Sequence, residues 1–332
     1  MQHIPTKSLA TGLTLLSAAL LLIACNDGGD DPEPAQPTTQ SVSLEFAAVA
    51  GGTPVACGTQ IEGLGTGNVA AQLKDFRFYV TDAALVRADG VEVPITLGAN
   101  DAWNHTNADG SAKVTMIDLE NATGSCASGT AATNAVLTGT VPTADYVGVK
   151  LTVGVPEKLN HLQTSAAPPP LDLLAMNWSW TSGYKFAKIE VTDPDPLGAA
   201  GSTPWSTNTF NVHLGSTNCT GDVAAGTFNC TVPNRMAITL NNFNAQTQKI
   251  AIDVKAMLAG SDVTANGTAL GGELRSGSPG CMSSSQDPDC PAVFQAMQIG
   301  LAAPQNAVGT ADQAGMMING GAAQTIFKVI SK

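Results

Sequence analysis

Charged residues are scarce in this sequence, and positive ones are the scarcest. Only 13% of its 332 residues are Asp, Glu, Lys or Arg, against roughly 25% in an average domain. Fifteen are Lys or Arg and 27 are Asp or Glu, so the formal net charge is −12. Nucleic-acid binding needs clustered cations that displace counterions from phosphates. The composition therefore excludes a nucleic-acid-binding protein.

Familiar catalytic motifs are also missing. The chain contains no H-E-x-x-H, no G-x-S-x-G and no Walker phosphate loop. Residues 65–70 (GTGNVA) fit G-x-G-x-x-A, but they follow no apolar strand and open no helix, as a dinucleotide-binding turn does. The scattered carboxylates form no recognisable pair for acid–base catalysis. We therefore predict that the protein is not an enzyme.

Aromatic residues make up only 5% of the chain, whereas Gly (34) and Pro (19) are abundant. Apolar residues alternate with polar ones in short runs bounded by turn residues, which is typical of strands. In the run 75–80, Phe76 and Phe78 fall on one face and Asp75 and Arg77 on the other. The pattern predicts an all-β fold, an antiparallel β-sandwich with long disulfide-linked loops. The other predicted strands are 42–49, 91–97, 114–119, 146–155, 210–214, 236–240 and 250–254, with one short helix at 291–301.

The first 24 residues have the features of an export signal, because a weakly positive start is followed by an apolar run too short to span a bilayer. The run ends in LIAC, which resembles the bacterial lipobox and predicts lipidation of Cys25. An ordinary secretory signal is the alternative. Residues 25–40 are acidic and Pro-rich, so we predict a disordered tether, followed by a single domain over 41–332. We expect a periplasmic protein attached to the membrane only by its lipid, with Asn26 favouring the outer membrane.

Six cysteines remain once Cys25 is set aside, and an even number in an exported chain implies disulfides. Six cysteines allow fifteen pairings. Two pairs are close in sequence and flank short polar loops, so we expect each pair to close its own loop. A metal-binding cysteine cluster is the alternative, but the chain has no C-x-x-C pair. The predicted disulfides are Cys219–Cys230, Cys281–Cys290 and, for the remaining two cysteines, Cys57–Cys126.

Histidine and tryptophan are rare, with three histidines and four tryptophans after the signal. His161 closely follows a predicted strand, Trp178 and Trp180 share the run MNWSW, and His213 lies inside another predicted strand. If MNWSW is extended, both indoles point the same way. Neutral imidazoles are good copper ligands, and two of them with a soft or aromatic third partner suit Cu(I). The alternatives are hydrogen-bonded structural histidines, and tryptophans that pack in the core or stack on sugars.

Eight short segments, spread over most of the chain after the signal, together resemble one known family. They are Cys57-Gly58, 75–80 (DFRFYV), 118–126 (DLENATGSC), 154–161 (GVPEKLNH), 178–186 (WSWTSGYKF), 213–219 (HLGSTNC), Cys230 with 233–235 (PNR), and Cys281 with Cys290. The sequence resembles the MbnP-type copper-binding proteins, also called metallo-mystery pair four-Cys motif proteins. Each segment alone is weak, but eight of them in this order are hard to obtain by chance.

The resemblance implies a specific chemistry. In that family, a di-haem peroxidase-like partner oxidises one tryptophan to kynurenine, and the modified protein binds copper. Carried onto this sequence, the resemblance implies that His161 and His213 are ligands of Cu(I). It implies that Trp180, or alternatively Trp178, is the residue converted to kynurenine. The protein is then a substrate of the haem partner and a carrier of copper.

A function of another class is also open. Trp178 and Trp180 are the kind of paired aromatic residues that stack on sugar rings. The protein is then a cell-envelope module that binds a glycan or a surface. The two hypotheses differ in one observable, because sugar binding needs neither a metal nor a haem partner.

Overall fold

The structure of the chain is a computed structural model. It describes residues 38–195, 204–222, 225–268 and 279–332. The predicted signal peptide, Cys25 and most of the predicted tether lie outside the described residues. The first strand begins at Thr39. Thr39 pairs with Pro142, and Gln40 pairs with Val141. The last two residues of the predicted tether are therefore part of the sheet, because this backbone pairing orders them.

Strands dominate the described residues. The three α-helices are α1 (Glu157–Asn160), α2 (Val254–Leu258) and α3 (Cys290–Met297). The strands are β1 (Thr39–Ala50), β2 (Thr53–Pro54), β3 (Gln60–Leu64), β4 (Val69–Arg87), β5 (Glu92–Pro94), β6 (Thr96–Leu97), β7 (Asn104–Thr106), β8 (Lys113–Asp118), β9 (Val136–Pro142), β10 (Tyr146–Val153), β11 (Asn177–Ser179), β12 (Gly183–Tyr184), β13 (Ala187–Thr192), β14 (Thr209–Leu214), β15 (Thr217–Asp222), β16 (Thr227–Val232), β17 (Met236–Asn241), β18 (Gln248–Asp253), β19 (Gly280–Cys281) and β20 (Phe327–Ser331).

Two large sheets form the sandwich. The strand order of the smaller sheet is β20-β18-β1-β9-β6, and β2 pairs with β1. The strand order of the larger sheet is β17-β10-β4-β13-β14-β19. In the larger sheet, β3, β5 and β8 also pair with β4, and β7 pairs with β8. Phe78 on β4 contacts Phe46 on β1 and Phe327 on β20, with ring centroids 5.6 and 6.4 Å apart. These aromatic contacts join the inner faces of the two sheets. The all-β sandwich predicted from the sequence is confirmed.

Among the named strands of the described residues, pairing is antiparallel except at two places. β1 pairs with β18, and β14 with β19, in the parallel direction. Parallel neighbours need long connections, and in both cases the two strands are far apart in sequence. The sandwich is therefore mixed, whereas the alternation in the sequence predicts only that strands exist and not how they pair.

Several predicted elements have different bounds in the structure, and for three of them the local reason is clear. The predicted strand 91–97 divides at the buried Ile95, because β5 pairs with β4 and β6 with β9. The predicted strand 250–254 ends at Asp253, whose carboxylate accepts hydrogen bonds from the first amides of α2. The predicted helix 291–301 ends at Met297, because Gln298 adopts a left-handed conformation with φ 57°.

Three disulfides fasten loops to this framework, in the pairs that the spacing predicts. Cys57 is bonded to Cys126, with a separation of 69 residues along the chain. The bond between Cys219 and Cys230 joins directly opposed residues of the hairpin β15–β16. Cys281–Cys290 ties β19 to the start of α3. Within the described residues, no helix is long and apolar enough to cross a membrane.

Candidate metal centre

His161 lies at the end of α1, where the chain leaves β10. Its Nδ1 is 2.8 Å from the backbone oxygen of Trp180. Because a carbonyl can only accept a hydrogen bond, Nδ1 carries the proton and Nε2 presents its lone pair. Burial lowers the pKa of His161, but the carboxylate of Glu157, 3.5 Å from Nε2, and the Trp180 carbonyl together raise it above its ordinary value. A ring fixed through one nitrogen in this way is typical of metal-binding histidines.

An aromatic residue and a disulfide surround the His161 ring. Phe228 on β16 stacks on the imidazole, with centroids 5.4 Å apart, and meets the Trp180 indole edge-on at 5.1 Å. Phe228 therefore contacts both rings. On another side, Nε2 is 3.2 Å from Cys230 Sγ. The ring is largely buried, with 7% of the side chain exposed.

The run MNWSW is extended only as far as Ser179. β11 ends there, and Trp180 begins the turn that leads to β12. The Trp178 indole packs on Gly215, where an added Cβ would come within 2.4 Å of the ring, and the Trp180 indole contacts Phe228. The strand alternation on which the expected common direction of the two indoles depends therefore does not reach Trp180.

An open cleft lies beside the Trp178 indole. Its volume is about 760 Å³. Trp178 and Phe228 supply aromatic walls, and hydroxyl and amide side chains from the edge of β15 supply polar ones. The lining residues are Trp178, Thr181, Ser182, Ser216, Thr217, Asn218, Cys219, Thr220, Gly221, Phe228 and Met282. One tryptophan of the predicted pair is thus accessible from this cleft.

His213 lies near the end of β14, within a strand as predicted from the sequence. It lies on β14 opposite Lys188 on β13, and its Nε2 is 2.7 Å from Oε1 of Glu190. A carboxylate accepts this hydrogen bond, so Nε2 carries the proton and Nδ1 keeps the lone pair. Burial lowers the pKa of His213, which keeps the ring neutral. Although burial alone would raise the pKa of Glu190, its hydrogen bond from His213 and the charge of Lys188 lower it to about 2.

A buried network of charges continues from Glu190 along the outer face of the larger sheet. Lys188 Nζ lies 2.8 Å from Glu190 and also contacts Asp75. Asp75 in turn pairs with Arg77, which approaches Glu120 at 3.8 Å. Asp75, Arg77 and Glu120 are all 1% exposed or less. The second face of β4 is thus as buried as its apolar face, and each charge on it has a partner of opposite sign.

Asn160 connects the neighbourhoods of the two histidines. Its Nδ2 donates to Ser216 Oγ at 2.8 Å, three residues after His213, and its Oδ1 accepts from the Tyr184 amide at 3.0 Å. A Cβ on Gly183 would collide with this Asn160 side chain at 2.6 Å. The His161 ring hydrogen-bonds to the backbone of Trp180, whereas the His213 ring hydrogen-bonds to the side chain of Glu190. The structure therefore brings the predicted residues into two adjoining groups.

Three residues of these groups were not singled out from the sequence. Glu190 alternates with Ile189 and Val191 on β13, which indicates a polar strand face, but its pairing with His213 depends on the register of two strands. Asn160 precedes His161 directly, and Phe228 lies two residues before Cys230. Neither position carries a sequence signal, since their contacts come from the tertiary fold.

Comparison with known proteins identifies the family. The family model for MbnP matches residues 39–283. The chain belongs to the MbnP family. It is similar to the solved structure of MbnP from Methylosinus trichosporium, with 33% sequence identity and a TM-score of 0.72, over 89% of this chain and 99% of that one. Among the curated proteins, none matches.

The chemistry of the candidate donor atoms in this MbnP-family chain indicates which residues are suitable metal ligands. Two clusters within the described residues contain three donors each: His161 with Cys219 and Cys230, and Glu120 with Cys57 and Cys126. In both clusters the sulfurs are bonded to each other and are not thiolates, which are the sulfur ligands that metals prefer. The fit therefore rests on the imidazoles, each of which has one nitrogen held by an acceptor and the other carrying a lone pair.

Proposed function

We propose that this protein binds copper, as Cu(I), through His161 and His213. The observation that carries the proposal is the shared arrangement of the two rings. His161 donates through Nδ1 to a backbone carbonyl, and His213 donates through Nε2 to Glu190. Partners of this kind fix the tautomer and orientation of metal-binding histidines and raise their basicity. Membership of the MbnP family supports the same function.

The third ligand in this proposal is a kynurenine. A di-haem peroxidase-like partner oxidises one indole with peroxide: the C2–C3 bond breaks, each of the two carbons gains an oxygen atom, and two peroxides are reduced to water. Hydrolysis then releases the former C2 as formate and leaves a ketone at the former C3. The product carries a free aromatic amine, which is a nitrogen ligand. Trp180 is the preferred residue because it contacts His161 through its carbonyl, and Trp178 is the alternative because it lines the open cleft. The protein itself turns over nothing.

The neutral state of His213 also favours this role. A protonated imidazole cannot ligate a metal, and burial holds the pKa of His213 below its ordinary value. Two imidazoles and an aromatic amine form a set of nitrogen donors without carboxylates, which suits copper better than Mg²⁺ or Ca²⁺. Copper bound there supplies a redox-active cation, while the chain supplies orientation and shelter from water.

We further propose that the protein is exported to the periplasm and held at the outer membrane by a lipid on Cys25. The lipobox-like LIAC and the acidic, Pro-rich segment that follows it support this location. Disulfides form in such an oxidising compartment. Labelling of Cys25 with a radioactive fatty acid, lost in Cys25→Ala, tests the anchor.

Glycan recognition is the second candidate. The cleft beside Trp178 combines an aromatic wall with the hydroxyls of Thr217 and Thr220, and sugar sites pair aromatic stacking with polar contacts in this way. Trp178 lines this cleft and would stack on the sugar. Saturable sugar binding that is lost in Trp178→Ala would favour this candidate.

Copper titration of modified protein tests the leading proposal. His161→Ala and His213→Ala are each expected to lower Cu(I) affinity at least tenfold while circular dichroism shows an intact fold. His105→Ala is the matched control, since this histidine contacts Asn100 and lies in another part of the structure. If both ligand variants keep the affinity of the unaltered protein, the site assignment is wrong.

A further inference from the structure

The Cys219–Cys230 disulfide lies directly against the His161 ring. His161 Nε2 is 3.2 Å from Cys230 Sγ, and this nitrogen and both sulfurs lie within 4.8 Å of one another. A cation bound by two thiolates at about 2.3 Å and an imidazole at about 2.0 Å holds its ligand atoms roughly 3.3–3.8 Å apart. The three atoms are thus close to the spacing that one cation needs once the S–S bond is open.

The hairpin keeps the two cysteines together without the disulfide. Cys219 and Cys230 are directly opposite each other on β15 and β16, and the flanking pairs include Thr217 with Val232 and Thr220 with Asn229. Opposed residues of an antiparallel pair project on the same face. Opening the S–S bond therefore leaves two thiols side by side, still held by the backbone pairing.

The His161 ring is oriented with its Nε2 atom beside the two cysteines. The Trp180 carbonyl holds Nδ1–H, so the lone pair belongs to Nε2, which lies 3.2 Å from Cys230 Sγ and 3.3 Å from the Asn160 side-chain amide nitrogen. A neutral imidazole with its other nitrogen fixed by a carbonyl is the usual form of a metal-binding histidine. Cys219 also lines the open cleft, which gives a reductant and a metal ion access to the sulfur.

The second disulfide cluster gives a useful contrast. Cys57 and Cys126 lie near Glu120, whose carboxylate already accepts hydrogen bonds from the Ala122 amide and the Thr130 hydroxyl. A carboxylate is a hard ligand, and thiolates and imidazole are softer. Of the two clusters, the one at His161 is the better match for a thiophilic cation.

We propose that the Cys219–Cys230 disulfide is reducible and that its two thiols, with His161, then bind a thiophilic cation such as Zn²⁺. A dithiol reductant supplies two electrons and two protons, the S–S bond breaks, two S–H bonds form, and the reductant closes its own disulfide. The cation then displaces the two thiol protons into solvent. This site uses neither His213 nor a modified tryptophan, so it is distinct from the copper site and shares only His161 with it.

Cadmium titration of the full chain, before and after treatment with dithiothreitol, tests this inference, with Cd²⁺ as a spectroscopic substitute for Zn²⁺. Alkylation and mass spectrometry identify which cysteines are reduced. We expect one Cd²⁺ per reduced chain with a thiolate-to-cadmium absorption band, and no such band in the oxidised chain. The band should disappear in Cys219→Ser.

Matched variants separate this site from others. His161→Ala is expected to weaken Cd²⁺ binding at least tenfold while both thiols remain, whereas His213→Ala and the double variant Cys57→Ser/Cys126→Ser should leave it unchanged. Reduced protein without the band, or equal Cd²⁺ affinity with and without His161, would overturn the proposal. Because His213 affects only the copper site, failure of one site is distinguishable from failure of the other.

Discussion

The two histidines proposed as copper ligands are buried to a similar degree but held in different ways. Their side chains are 7% and 10% exposed. His161 closes a short helix and donates to a backbone carbonyl, whereas His213 lies within a strand and donates to the carboxylate of Glu190. The surroundings move the two pKa values in opposite directions, upward for His161 and downward for His213.

The surroundings of the two rings also differ in kind. His213 is fixed by a network of buried charges that extends through Lys188 to Asp75 and Arg77. His161 is instead surrounded by a hairpin, an aromatic ring and a disulfide. We expect changes to the buried charges around His213 to have larger effects on stability and on copper binding than changes to the exposed carboxylate beside His161.

The largest effect is expected from Lys188→Met. The change leaves the buried carboxylates of Asp75 and Glu190 without one of their cationic partners. Removing one member of a buried ion pair costs about 3–5 kcal/mol. Urea denaturation should therefore show a free energy of unfolding lowered by about that amount.

Lys150→Met is the matched control. Lys150 pairs with Glu92 on the surface, where both side chains are more than a third exposed. Solvent screens such pairs, so the free energy of unfolding should stay almost unchanged. Equal losses in Lys188→Met and Lys150→Met would refute the structural importance of the buried network.

A smaller effect, on copper affinity, is expected from Glu190→Gln. The amide is a weaker acceptor than the carboxylate, so it orients His213 less firmly and makes the ring less basic. Loss of such a partner typically costs 10–100-fold in metal affinity, and isothermal titration of modified protein with Cu(I) measures it.

Glu157→Gln gives the corresponding change at His161. The Glu157 side chain is 47% exposed and 3.5 Å from Nε2, and the Trp180 carbonyl still orients the ring. We expect a loss of affinity below tenfold. The contrast between the two histidines fails if Glu157→Gln weakens copper binding as much as Glu190→Gln.

The smallest expected effect is on the pH dependence of stability. Near the ordinary histidine pKa of 6.5, His161 and His213 should contribute to it with opposite signs. The raised pKa of His161 contributes stability below 6.5 that is lost as pH rises through the folded value. The lowered pKa of His213 has the opposite sign, so its contribution is present above 6.5 and is lost as pH falls through the folded value.

Urea denaturation of His161→Gln and His213→Gln at several pH values checks these signs. The stability difference between the unaltered protein and His161→Gln should shrink as pH rises, and the difference for His213→Gln should grow. The titration of Asp118, whose pKa burial raises to about 7, is common to all three proteins and is removed by subtraction. Slopes of the same sign in both variants would contradict the assigned surroundings.

Much of the fold could be predicted from the alternation of apolar and polar residues. What could not be predicted in this way has a physical cause. The run 75–80 predicts a strand, and that strand is part of β4. Its two faces differ in polarity, but the sequence cannot say that Asp75 and Arg77 are as buried as Phe76 and Phe78. Burial of the polar face depends on what the rest of the chain packs against it.

The candidate site was readable only in part. Scarcity and family resemblance pointed to His161 and His213, and cysteine spacing predicted all three disulfides. The contacts of Phe228 with His161 and of Glu190 with His213 depend on strand register and hairpin packing, which no local pattern specifies. The ends of short strands are also not specified locally, since β11 ends at Ser179 and does not include Trp180.

The most direct test is peptide mass spectrometry of residues 176–185 in protein produced with and without the di-haem partner. We predict that one carbon is replaced by one oxygen at Trp180, or else at Trp178, only when the partner is present, and that this protein binds copper. Both tryptophans intact in the presence of an active partner would contradict the proposed site and would favour glycan recognition at the Trp178 cleft.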